Sequence, residues 1–110
     1  MFEPEPMLVE AAAVDRDRFR RLADQWREET TFFSSTTAIA DHPAYREIIA
    51  MGEPVLPLIF EELRSHSGQW YSALAILTGA NPVAEADRGK IRKMTRAWLE
   101  WGIAHGYLLP

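Results

Sequence analysis

The sequence predicts an all-α fold, a small irregular bundle of about five helices, and three observations predict it. Apolar residues recur at helical spacing through the longer segments. Glycine- and proline-bearing breakers cut the chain into pieces of helical length. The most apolar segment carries alanines that favour helix.

Glu3-Pro4-Glu5-Pro6 reads as part of a flexible lead-in over residues 1–9, since each proline restricts its predecessor and two acids discourage burial. A single helical domain over 10–110 is expected to follow, beginning with a long helix from Glu10 to Phe33. Its apolar positions Phe19, Leu22, Ala23, Trp26 and Phe33 recur on one side, with Arg18, Arg21, Asp24, Glu28 and Glu29 mainly elsewhere. The run Thr30–Thr37 loses helix propensity through β-branching and competing hydroxyls, so the helix should fray or end there.

Asp41 is placed to cap a second helix over His42–Met51, with Pro43 in its first turn and Gly52 as its stop. A third helix should open at Glu53-Pro54 and run to His66, with Leu56, Ile59, Phe60 and Leu63 as its face. In the fourth segment, Gln69–Thr78, periodicity leaves buried helix and strand both open; the alanines and the flanking glycines favour helix. Gly79-Ala80-Asn81-Pro82 is a breaker. A fifth helix is expected over Asp87–His105, marked by Ile91, Met94, Trp98, Trp101 and His105, with a tail after Gly106 that folds back over the core.

Composition limits the chemistry. A chain of 110 residues with 47% hydrophobic content and four tryptophans has room for one core. The absence of cysteine excludes disulfides, thiolate nucleophiles and cysteine-bound metals, and is compatible with the cytoplasm. The N-terminus lacks a signal-peptide pattern, and no apolar run approaches the ~20 residues of a bilayer span, so no membrane association is expected. Net charge is −4, but unevenly placed: residues 1–79 hold seven Lys/Arg against thirteen Asp/Glu, and residues 80–110 hold five against three. That asymmetry suits self-association or a charged partner.

Several constellations fail on spacing. Asp87-Arg88-Gly89-Lys90-Ile91 lacks both the earlier glycine and the Ser/Thr of a phosphate loop. His42, His66 and His105 share no metal-binding spacing, adjacent Glu61 and Glu62 do not make an acid–base pair, and no serine sits in a nucleophile elbow. No catalytic residue, cofactor or metal ligand is therefore assigned. Two features remain. Arg88, Arg92, Lys93 and Arg96, with Lys90, make a basic side on the fifth helix, suited to an acidic protein or to phosphates. Phe32 and Phe33 cannot both enter one helical core, and Trp101 offers an aromatic edge; these three with the basic set are the candidate partner-binding residues.

The segment Asp41–Arg64 reads His-Pro-Ala-Tyr, then Ile-Ile-Ala-Met-Gly-Glu-Pro-Val-Leu-Pro-Leu-Ile, then Leu63. It resembles one helix–turn–helix unit of a HEAT-type α-solenoid, over about a quarter of the chain, which implies a helical scaffold that binds macromolecules. The chain as a whole resembles small uncharacterised bacterial helical proteins, which implies no chemistry. The function expected is a noncatalytic protein-interaction or regulatory module, self-associating as a homo-oligomer or binding another protein. The alternatives are a small hydrolase with a histidine/carboxylate site and a nucleic-acid accessory protein using the basic helix.

Overall fold

The computed structural model describes residues 6–66 and 68–110, with side chains from Asp15 onward. Among the described residues there are six α-helices and no strand: α1 (Pro6–Thr30), α2 (Thr36–Ala40), α3 (Pro43–Ala50), α4 (Leu56–His66), α5 (Tyr71–Thr78) and α6 (Ile91–Ala104). No helix among them is long and apolar enough to cross a membrane. Residues 1–5, where most of the lead-in was expected, lie outside the described residues; the backbone is helical from Pro6 rather than Glu10.

Helix α1 stops three residues short of Phe33, in the stretch where β-branched threonines lower helix propensity and their hydroxyls bond back to the chain. Thr30 Oγ1 donates to the Trp26 carbonyl at 2.6 Å and Thr31 Oγ1 to that of Arg27 at 2.8 Å. The long helix ends within Thr30–Thr37 as expected, but the end of that run opens an extra helix, α2, that was not expected. Ser35 caps it by accepting the Ala38 N–H, and the Trp26 indole N–H donates to the Ile39 carbonyl at 2.8 Å. A five-residue helix cannot stand alone, so this long-range bond is what keeps it in place.

Helix α3 corrects the capping expectation. Its N-cap is His42, whose Nδ1 accepts the Ala44 N–H at 3.1 Å, while Asp41 pairs with Arg46. An imidazole nitrogen that accepts carries no proton. His42 is therefore the tautomer protonated at Nε2, which donates to Glu29 Oε1 at 3.1 Å and ties α3 to the end of α1. His42→Ala should cost about 1 kcal/mol in denaturant unfolding through the lost cap, and Glu29→Gln clearly less. Equal costs would mean that the bond to the Glu29 carboxylate, not the cap, matters.

The core is aromatic. Trp70 meets Trp26 at 4.6 Å, Phe19 at 5.6 Å and Tyr45 at 5.7 Å between ring centroids, joining α1, α3 and the start of α5. Each fully buried large side chain contributes roughly 1.5–3 kcal/mol, enough to carry one defect here. The Trp70 indole N–H is buried with no hydrogen-bond partner among the described residues. Around it, α1 packs along α3, α5 rests on α3 and α4, and α4 crosses α6.

Between α3 and α4, Gly52 ends one helix and Pro54 opens a 3-10 turn, Glu53–Val55, before the next. Pro57 falls in the first turn of α4, where its missing N–H costs little. The tail does return: Leu108 is buried, Arg64 Nη1 donates to the Leu109 carbonyl at 2.9 Å, and the Tyr107 hydroxyl donates to Glu53 Oε1 at 3.1 Å. That last bond raises the Tyr107 pKa above its ordinary value.

Candidate functional site

The four-residue delay in α6 shapes the site. The fifth helix was expected from Asp87, but it starts at Ile91 because Gly89 adopts φ +84°, a conformation that ends the preceding 3-10 turn, Glu85–Asp87, and redirects the chain. Arg88 consequently leaves the row it would have shared with Arg92 and Arg96, and both it and Lys90 lie in the loop before α6. That loop, with α5 and α6, walls an apolar groove of about 260 Å³.

Ala75 from α5, Val83 from the connection, and Met94 and Trp98 from α6 make its apolar surface; Arg88 and Asn81 add polar groups. Trp98 is buried and forms the floor, whereas Arg88 is exposed and stands at the rim. The walls are tied together. Gly89 N–H donates to the Met94 sulfur at 3.1 Å, Tyr71 Oη and Thr95 Oγ1 lie 2.9 Å apart, and Lys93 Nζ is 3.6 Å from Asp87 Oδ1. The thioether is the adaptable element, able to repack around different apolar shapes.

A larger cleft of about 440 Å³ lies between α1 and α4, lined by Arg16, Arg20, Phe19, Glu61, Glu62 and His66 among others. It brings a histidine beside two carboxylates, the juxtaposition a hydrolase would need. Both carboxylates are already engaged, however: Glu62 pairs with Arg27 across the helices, and Glu61 with Arg64 at 2.7 Å. His66 makes no hydrogen bond among the described residues, and His42 and His105 have other partners. Among those residues no group of three or more His, Asp or Glu could hold a metal ion.

The candidate partner-binding residues divide into three places. Phe32 is 97% exposed and Phe33 46% exposed, at the corner between α1 and α2. Arg92, Lys93 and Arg96 are exposed along α6, and Arg88 belongs to the groove. Trp101 sits apart from both. It is half-buried in a stack, with His105 at 3.9 Å, Tyr107 at 5.8 Å and Phe60 at 6.1 Å, and its own carbonyl accepts a hydrogen bond from His105 Nδ1–H at 2.8 Å. Those contacts pack one side of Trp101 against the fold and leave it partly exposed.

Sequence reasoning took Met94 and Trp98 for one face of a helix and missed that they line a groove with α5. Periodicity marks which residues turn inward, but not whether the neighbouring helix covers them completely. No protein-family model, curated protein or solved structure matches the chain.

Proposed function

We propose that this protein is a noncatalytic protein-interaction module whose docking site is the α5–α6 groove. The observation that carries the proposal is an apolar, tryptophan-floored groove with an exposed arginine at its rim. At about 260 Å³ it is smaller than the roughly 300–1,000 Å³ of typical small-molecule pockets. It suits one large side chain of a partner, the usual form of an interface anchor. Arg88 adds a forked donor for a carboxylate next to that anchor, and Arg92 and Lys93 extend the positive field beyond it. A cytoplasmic location belongs to the same proposal, and the cysteine-free composition suits a reducing compartment.

Short peptides that place an aromatic residue beside Asp or Glu are the direct probe. Titration of the labelled protein should move the amide resonances of Ala75, Val83, Gly89 and Met94, and Arg88→Glu should abolish the response. Shifts confined to the α1–α4 cleft would overturn the proposal. So would tighter binding of duplex DNA at low salt that is lost on changing Arg92 and Arg96 to alanine.

A further inference from the structure

We propose that the groove is filled by the Phe32–Phe33 corner of a second copy of this chain. The inference rests on the groove being a docking site and names its occupant from three observations.

The first is how the corner is presented. An aromatic ring left 97% exposed forgoes its burial energy, yet the segment bearing it is held firmly. Phe33 N–H donates to the Thr30 carbonyl at 3.0 Å, and the buried Thr30 is bonded to the turn beneath it. Ser35 caps the next helix, and Trp26 anchors that helix from the core. A protruding ring carried on a preorganised backbone spares the chain entropy of ordering that segment on docking, which favours an anchor residue.

The second observation is shape. The groove, at about 260 Å³, has room for a side chain of this kind, and its Met94 wall can adjust around a ring. The third is charge. The corner follows Asp24, Glu28 and Glu29; Arg27 is shared between Glu62 and Asp24, Glu29 accepts from His42, and Glu28 has no ion-pair partner among the described residues. The groove mouth carries Arg88, followed by Lys90, Arg92 and Lys93, against Glu85 and Asp87. Acid-flanked ring and base-flanked groove are complementary, and both belong to the same molecule. The contact joins two different surfaces, so it is heterologous and builds a ring or a chain of subunits unless two copies exchange corners reciprocally.

The test uses the full chain in three forms: unaltered, Phe32→Ala and Arg88→Glu. Both altered positions are exposed, so each variant should keep the helical spectrum and melting point of the parent. By sedimentation at micromolar to millimolar concentration, the unaltered protein should exceed monomer mass, increasingly so as salt is lowered. Each variant alone should associate on the order of 30-fold more weakly, as expected for loss of an anchor. Mixed together they should form a one-to-one pair and nothing larger, because one retains an intact groove and the other an intact corner. An unaltered protein that stays monomeric, a Phe32→Ala protein that assembles normally, or a mixture that fails to pair would each overturn the inference. If such a result came with continued groove shifts from aromatic–acidic peptides, only the second copy as occupant would fall; if the peptides also failed, the docking site itself would fall.

Discussion

Tyr45→Phe should destabilise the protein by about 2–4 kcal/mol, although it removes a single oxygen atom from a side chain that touches no solvent. The hydroxyl makes two bonds at once. It donates to the Gln69 carbonyl at 2.8 Å and accepts the Ala73 N–H at 2.9 Å. Ala73 lies in the first turn of α5, where backbone donors have no partner within the helix. Trp70, the N-cap residue, supplies no side-chain cap. Tyr45 of α3 therefore caps α5 from another helix, and phenylalanine would leave one buried donor and one part-buried acceptor without this partner.

The same hydroxyl predicts a pH dependence. Burial pushes the Tyr45 pKa from 10.0 up to about 12, opposed in part by the Ala73 N–H. Below pH 10 both folded and unfolded chains keep the proton, so stability is unaffected. Between about 10 and 12 the unfolded chain loses its proton first and stability falls with rising pH, by about 2–3 kcal/mol in all. Tyr107 adds a further alkaline slope through its raised pKa, so the informative quantity is the difference between parent and Tyr45→Phe. Denaturant titrations from about pH 9 to 11 should show the parent losing stability faster, the two proteins converging as pH rises. A constant gap across that range would mean that the hydroxyl is not desolvated in the fold.

That interaction also shows what could be read from the sequence. The all-α class, the helix over Pro43–Ala50 and its stop at Gly52 follow from local signals, because glycine, proline and apolar spacing act over a few residues. Helix α2 did not, since Thr36-Thr37-Ala38-Ile39-Ala40 has little helical tendency of its own and depends on Trp26, ten or more residues away. Nor did the cap at His42, where an aspartate one residue earlier gave the stronger local signal and lost to an imidazole positioned by Glu29. The site divides in the same way. That one of Phe32 and Phe33 must stand out was legible, because two adjacent aromatics cannot share one inward face; that Phe33 also leaves the expected apolar face was not, since α1 ends before reaching it. The groove was not, because it arises where Gly89 delays α6 and leaves Val83 and Met94 partly exposed above the buried Trp98, a property of two helices and the loop between them.

Gly102→Ala should also destabilise, by about 1–3 kcal/mol, against the direction that local propensity predicts. Alanine in mid-helix is worth about 1 kcal/mol over glycine, and Gly102 lies within α6. A Cβ at this position would sit 2.8 Å from Phe60 Cε1, 2.9 Å from Cδ1 and 3.2 Å from Cζ. The Phe60 ring cannot give way easily. It is fully buried and stacked against Trp101 and Tyr107, so relief requires α6 to move away from α4. Trp98 lies one turn before Gly102 on the same helix and floors the groove, so that movement would reach the docking site. Loss of stability and weaker binding of aromatic–acidic peptides should therefore appear together. Phe60→Leu, costly alone, should cost less in the Gly102→Ala background, because the smaller side chain removes the clash it would otherwise meet. If Gly102→Ala were instead neutral or stabilising, α4 and α6 would not approach closely enough to require glycine, and the packing that sets the groove floor would have to be redrawn.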